Sequence, residues 1–346
     1  MQYKLFGKSG LRVSELCLGT MTFGEEWGYG ANKEESRTIF NSFLEAGGNF
    51  IDTANRYTEG TSEKFIGEFV KESQRRDELV IATKCTLYTQ SGRINDSGNH
   101  RKSLVQNLEG SLKRLQLDYV DMLYIHAWDF TTAEDEVMRA LDDLVRSGKV
   151  LYIAVSDTPA WMIARSNAIA ELKGWSRFAG MQVEYSLITR DAERDLLPLA
   201  KYTDMGVTAW APLAGGALTG KYLGNNQDPK RLKEGSKRLN EKSMSIAETV
   251  VKIANENNCA PAHVALNWVR KNKASVIPII GARSAKQFQE SLHCLNHSIS
   301  DEQMQELNSV SEIELGFPHD FLKQDGVKTV MYGGLYDKID RSNLKL

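Results

Sequence analysis

The sequence predicts an α/β fold, a closed (β/α)8 barrel, on three observations. Eight short apolar runs recur along the chain, amphipathic windows alternate with them, and the runs are near-continuous rather than alternating in hydrophobicity. The runs are ELCLGT (15–20), NFIDTA (49–54), LVIATK (79–84), VDMLYIH (120–126), VLYIAVS (150–156), GMQVEYS (180–186), VTAWAPL (207–213) and SVIPIIG (275–281). Strands buried on both faces have no solvent side on which to place polar residues, which is why parallel barrel strands read this way. An open, doubly wound sheet is the alternative arrangement of the same alternation.

The intervals carry helical patterns. Within 134–149, Val137, Leu141, Leu144 and Val145 share a face and Gly148 stands where a C-terminal cap belongs. Within 103–116, Ser103 and Gln106 read as a capping box ahead of Leu108, Leu112 and Leu115. Weaker windows cover 33–46, 62–72, 161–173, 193–205 and 284–296, with two more at 243–257 and 261–272 before the last strand. YKLFGKSGLRVS reads as a hairpin capping one barrel end, and residues 214–240 form a long Gly- and Lys-rich excursion. The expectation is one domain over 1–346, a TIM barrel with core about 15–297. An N-terminal hairpin and extra C-terminal helices or loops are added, the polar tail (298–346) carrying one aromatic patch, GFPHDFL (316–322).

The 346 residues are 41% hydrophobic and 25% charged, with a net charge of −2. That balance gives no electrostatic reason for nucleic acid or an anionic membrane to be the partner. The opening segment lacks the apolar run of a secretory signal, and no window approaches the roughly 18 apolar residues of a spanning helix. A cytoplasmic protein is expected. Cys17, Cys85, Cys259 and Cys294 lack CxxC spacing and read as small buried hydrophobes in a reducing compartment.

In such barrels chemistry collects at the C-terminal strand ends. Those ends carry Gly19-Thr20, Asp52 with Tyr57 just beyond, Lys84, His126, Ser156-Asp157, Gln182 with Tyr185, Trp210, and the segment GARSAKQFQES. A lysine closing an apolar run needs a counter-charge, because an isolated buried ammonium costs several kcal/mol. Asp52 is the available carboxylate, and Tyr57 can lie beside the ammonium. A free phenol has a pKa near 10; a neighbouring cation is expected to lower it and ease proton donation. His126 can orient a carbonyl oxygen. The group suits protonation of an oxygen that gains negative charge, as when hydride adds to a carbonyl.

The order Asp52, Tyr57, Lys84, His126 resembles the catalytic tetrad of the aldo-keto reductases. LCLGTMTFG, FIDTANRYTEGTSEKFIG, VIATK, LYIH, VSDTPAW and APLAGGALTGKY are similar to that family's segments over about residues 3–295. The segments HAWDFTTAEDEVMRALDDLVRSGKVLYIAVSDTPAW and ITRDAERDLLPLA most resemble its aryl-alcohol-dehydrogenase-like branch. The resemblance implies a barrel that binds NADP(H), with NAD(H) possible, in extended form and without a Rossmann motif. It implies Tyr57 as general acid, Asp52 and Lys84 as its tuning pair, and His126 as the group that positions the substrate oxygen. Gly19, Thr20, Met21 and Asp52 would line the cofactor cleft. Ser156 and Gln182 would hold the carboxamide, with Trp210 stacked on the nicotinamide. Ala211, Pro212, Leu213, Gly215 and Lys221 would wrap the pyrophosphate, with Gly281, Gln287 and Glu290 towards adenosine. Arg283 and Arg231 are candidates for a ribose 2′-phosphate, since a guanidinium fork matches phosphate. Asp157 and Ser291 depart from the family, where Asn is common at both positions.

An apolar, aromatic substrate pocket is expected from Phe23, Trp27, Tyr88, Trp128 and Phe317, favouring aryl or medium apolar aldehydes and ketones as the small-molecule partner. Three other readings compete. GGALTGKY resembles a phosphate-binding loop, but Tyr222 stands where a magnesium-holding Ser or Thr belongs. A metal-dependent hydrolase has only His293 and His297 at helical spacing, a pair better read as surface or core, so no metal is expected. A nicotinamide-binding regulatory module, similar to potassium-channel-associated subunits of the same family, would share the fold with slow turnover.

Overall fold

A computed structural model describes residues 1–224, 232–233, 235–272 and 275–341. The chain opens with an antiparallel hairpin, β1 (Tyr3–Leu5) and β2 (Arg12–Ser14), paired from Tyr3↔Ser14 to Leu5↔Arg12. Eight parallel strands then close a barrel: β3 (Cys17–Gly19), β4 (Phe50–Asp52), β5 (Val80–Cys85), β6 (Val120–Ile125), β7 (Val150–Ser156), β8 (Phe178–Glu184), β9 (Gly206–Trp210) and β10 (Val276–Ile280). Each expected apolar run contains or overlaps one of them. Pairing of β10 with β3, Ile279↔Cys17 and Ile280↔Leu18, closes the ring and removes the open-sheet alternative.

Helices α1 (Lys33–Glu45), α2 (Thr61–Ser73), α3 (Arg101–Leu115), α4 (Glu134–Arg146), α5 (Ala160–Lys173) and α6 (Leu196–Thr203) follow strands β3 to β8 in turn. Two helices, α7 (Glu241–Glu256) and α8 (Pro261–Arg270), lie between β9 and β10, and α9 (Ala285–Leu292) follows β10. The tail adds α10 (Asp301–Val310), α11 (His319–Lys323) and α12 (Asp325–Tyr332). Among the described residues, no helix is long and apolar enough to cross a membrane.

One cap differs from expectation. Helix α3 starts at Arg101, two residues early, and its N-cap is His100, whose Nδ1 accepts from the Ser103 backbone N–H at 3.2 Å. Ser103 is therefore inside the first turn, where its hydroxyl accepts from Asn107 Nδ2 at 3.0 Å. Gly148 behaves as expected: at φ +76° it lies just past the end of α4 in the left-handed region that glycine enters without strain.

Strand side chains alternate, so every second residue enters the barrel. Phe50 and Asp52 on β4, Ala82 and Lys84 on β5, Met122 and Tyr124 on β6, and Ala154 and Ser156 on β7 share that parity. The interior is thus apolar at the N-terminal end, where Cys17, Phe50, Val80, Met122 and Ile277 cluster, and polar at the other. Phe6, directly after β1, closes the apolar end. It is fully buried, edge-on to Phe50 at 5.7 Å. A Cβ on Gly180 or Gly206 would come within 2.4 Å and 2.7 Å of its ring, so two glycines make the room it occupies.

Candidate active site

Asp52 is the last residue of β4 and Lys84 lies near the end of β5; both are buried. The Lys84 ammonium donates to Asp52 Oδ2 at 2.6 Å, Tyr57 Oη at 2.9 Å and the Thr53 carbonyl at 3.1 Å. Three donors thus meet three acceptors, which is what makes a fully buried ammonium tolerable. The other Asp52 oxygen, Oδ1, accepts from Gln182 Nε2 at 2.9 Å across the barrel.

Tyr57 opens a short turn, Tyr57–Gly60, in which Thr58 and Glu59 both adopt left-handed backbone conformations. The buried Thr58 hydroxyl holds that turn by donating to the Phe23 carbonyl at 2.5 Å and accepting the Ser62 N–H at 3.2 Å. His126, just after β6, meets the Tyr57 ring edge-on, with centroids 5.8 Å apart. Its backbone N–H is fixed by the Cys85 carbonyl at 3.1 Å and Thr86 Oγ1 at 3.2 Å. Its buried Nδ1 has no hydrogen-bond partner among the described residues.

Burial dominates the titration of this group. It pushes the Tyr57 phenol up to about 12, against the opposing pull of the Lys84 charge. The expectation that the cation would leave the phenol with a lowered pKa is therefore corrected: desolvation of the phenolate outweighs the attraction. Burial would lower Lys84, but Asp52 and Tyr57 reverse this and hold it above its ordinary value. His126 is held down to about 3 by burial and by the Lys84 charge. At neutral pH the set is a neutral phenol, a charged ammonium and a neutral imidazole.

A cleft of about 810 Å³ opens over these residues. Tyr57, His126, Asp52, Ser156, Gln182 and Trp210 line its barrel end, together with Gly19 and Met21. It runs past Ala211, Pro212, Leu213, Gly215 and Lys221 to Gly281, Arg283, Gln287 and Glu290. Residues from all these segments were expected together, and they line this one cleft. Thr20 does not: it is fully buried, its hydroxyl donating to the Asp52 carbonyl at 2.9 Å and paired with Ser62 Oγ at 2.7 Å. Arg231 lies outside the described residues.

The expected aromatic pocket is not where the structure puts those rings. Phe23 and Trp128 are buried in the core, Phe23 edge-on to Phe69 at 6.4 Å. Phe317 is 86% exposed on the tail beside Phe321. Trp27 and Tyr88 gather around Arg56, which lies 4.6 Å from the Tyr88 ring centroid and 6.0 Å from that of Trp27, and neither lines the cleft. The aromatic lining is instead Tyr29, Tyr57 and Trp210. Sequence reasoning missed Tyr29, Gly216, Arg238 and Lys286 as lining residues. Trp210 is held at both sides. Its indole N–H donates to Asp157 Oδ1 at 3.3 Å, and the Arg238 guanidinium lies 5.9 Å from its ring while paired with Glu184.

Residues 15–312 match the model of the aldo/keto reductase family. The chain is 40% identical over 328 residues to the norsolorinic acid reductase of Aspergillus flavus, covering 92% of this chain and 83% of that one. It is 36% identical over 335 residues to a putative aryl-alcohol dehydrogenase of Saccharomyces cerevisiae, covering 93% and 89%. With an NADP(+) aryl-alcohol dehydrogenase of Phanerodontia chrysosporium it shares 35% identity over 354 residues, 95% and 91% of the two chains. A closed parallel barrel whose polar end gathers residues from successive strands agrees with these matches, and the chain belongs to the aldo/keto reductase family.

Proposed function

We propose that the chain, acting as one barrel unit, reduces aryl or medium apolar aldehydes and ketones to alcohols at the expense of NADPH, with NADH the lesser donor. The observation that carries this reading is the contact of the buried Lys84 ammonium with both Tyr57 Oη and Asp52 Oδ2, two groups that line the barrel end of the cleft. The cofactor's fit rests on the cleft itself. Gly215 and Gly216 both have positive φ, and a Cβ on Gly216 would sit 2.7 Å from Lys221 Nζ, so the backbone there leaves a cradle beside a cation. Such a cradle suits pyrophosphate. Gln182 spends its amide nitrogen on Asp52, which leaves its Oε1 to accept from a carboxamide, with Ser156 beside it.

A bound reduced nicotinamide supplies hydride to the carbonyl carbon. The chain does the rest. Tyr57, a neutral phenol at neutral pH, gives its proton to the carbonyl oxygen as negative charge develops there. The phenolate left behind faces the Lys84 ammonium at 2.9 Å, which stabilises it until solvent returns the proton. His126, neutral, offers a hydrogen bond to the same oxygen. Asp52 keeps the ammonium charged and in place. The reverse oxidation uses the same groups with Tyr57 as base. Relatives named for aryl alcohols and for norsolorinic acid support an aromatic substrate class, and Tyr29 is the lining ring with no role assigned in the chemistry above.

The test is Tyr57→Phe, assayed with an aromatic aldehyde and each reduced nicotinamide. Turnover is expected to fall by two or more orders of magnitude, the usual contribution of a positioned acid, while cofactor affinity by tryptophan quenching is unchanged. Full retained turnover removes Tyr57 from the mechanism.

A further inference from the structure

Away from the barrel mouth, Cys259, His263 and His297 converge. Their candidate ligand atoms all lie within 4.8 Å of one another. Cys259 follows α7, His263 sits in the first turn of α8, and His297 leaves the turn after α9, so three segments meet at one point. Of the two histidines expected at the surface or in the core, His293 is exposed, and His297 is the one that joins this grouping. His297 stacks on His263 at 4.8 Å and 17°, whereas His293 is 6.4 Å from His263 and edge-on.

We propose that these three side chains form a site for one borderline-soft divalent cation, of which zinc is the probe. Thiolate and imidazole are the donors such an ion prefers, and three protein ligands with one open position is a common zinc arrangement. His263 is already set for the task. Its Nε2–H donates to the Glu290 carbonyl at 2.7 Å, which fixes the tautomer and leaves the lone pair on Nδ1. That Nδ1 accepts the Ala260 N–H at the start of α8 at 3.4 Å, a long hydrogen bond that a bound cation would replace. The buried imidazole is thus oriented by the kind of backbone carbonyl that ordinarily backs a metal-bound histidine.

The site is open to solvent on one side. A depression of about 510 Å³ is lined by Cys259, His263 and His297 with Asn255 and Asn258, which leaves room for a water as fourth ligand. Tetrahedral zinc spaces its ligand atoms about 3.3–3.6 Å apart, so binding draws the three together by roughly an ångström. Half-exposed Cys259 and His297 can make that adjustment. The Cys259 thiol proton passes to solvent as the sulfur coordinates. The ion would also brace the far end of the cleft, because Ala260, Pro261, Ala262 and Glu290 line it.

The test uses the full chain, freed of metal by chelator in a non-thiol reductant and titrated with cobalt(II), then zinc chloride. Expected are a thiolate-to-cobalt charge-transfer band saturating at one equivalent, its bleaching by zinc, and a melting temperature that rises with zinc. The Cys259→Ser/His297→Ala double variant should lose all three while keeping the wild-type near-ultraviolet dichroism in chelator. Should that variant not fold, alkylation of Cys259 in the wild-type chain is the second readout. Cys17, Cys85 and Cys294 are buried, so labelling reports on Cys259, and zinc holding that thiolate should slow iodoacetamide labelling at least tenfold. Absence of the band at one equivalent, its persistence in the double variant, or an unchanged labelling rate overturns the proposal.

Discussion

The Lys84 ammonium stands 2.9 Å from the Tyr57 phenol oxygen, yet the phenol holds its proton more tightly than free tyrosine, with a pKa pushed up to about 12. A buried cation here offsets only part of the cost of exposing phenolate to a dry site. On the proposed mechanism its value comes after proton donation, when the phenolate exists and the contact becomes charge-assisted. Lys84→Met should therefore abolish turnover. It should also destabilise the fold by about 3–5 kcal/mol, because Asp52 is left as an uncompensated buried carboxylate. Adding Asp52→Asn should recover most of that stability in urea melts and none of the turnover. A single variant as stable as wild type would show that the pair carries no buried charge.

The position of His126 sets a pH dependence whose sign can be worked out. In the folded chain the ring binds no proton above about 3, whereas unfolded histidine binds one below about 6.5. Between those values the unfolded state holds the extra proton, so stability falls as pH drops through that window and is unaffected above it. His126→Gln should flatten part of this decline in denaturation midpoints measured from pH 7 to 4. Turnover of the wild type should show no limb near 6.5, since the imidazole is neutral on both sides. A limb there that disappears in His126→Gln would mean the ring titrates near its ordinary value.

Most of the barrel, and the meeting of Lys84 with Asp52 and Tyr57, were legible because strand side chains alternate with a period of two. Counting back by twos from Lys84 gives Ala82 and Val80, and from Asp52 gives Phe50, so a polar residue ending an apolar strand already has its direction fixed. The aromatic lining was not legible, because a loop has no such period. Phe23, only four residues past Gly19, turns down onto Phe69, and Trp128, two past His126, enters the core. Thr20 fails as a cleft residue for the same reason, its hydroxyl being taken by Asp52 and Ser62. The sign of the Tyr57 shift depends on depth of burial, which spacing does not carry. The cap of α3 escaped because histidine rarely serves as an N-cap.

Phe6 gives a test of the closed end that leaves the chemistry alone. The ring fills the space above Gly180 and Gly206 and packs edge-on to Phe50. Phe6→Ala opens a cavity at the barrel base and should cost about 3–5 kcal/mol in urea denaturation. Gly206→Ala attacks the same contact from the other side, since its Cβ would meet the ring at 2.7 Å. Both variants should keep wild-type turnover per folded molecule, because the plug and Tyr57 lie at opposite ends of the barrel. Equal loss of turnover and stability would mean that the two ends are coupled.

Arg283 and Lys286 line the cleft at the start of α9, and we propose that cofactor preference turns on them. A ribose 2′-phosphate placed there would meet a guanidinium fork and an ammonium beside the positive end of a helix. A hydrogen bond between charged groups contributes about 1.5–3 kcal/mol, so Arg283→Ala should raise the KM for NADPH roughly tenfold to a hundredfold. The KM for NADH, which lacks that phosphate, should change by less than about twofold, since no charge-assisted contact is lost. Lys286→Ala should act in the same direction and more weakly, an ammonium being a point charge without the fork. Steady-state kinetics with both cofactors decides the matter. Equal rises in the two KM values would place Arg283 against the pyrophosphate or adenine instead, and a rise for neither would leave it a solvated arginine on the rim.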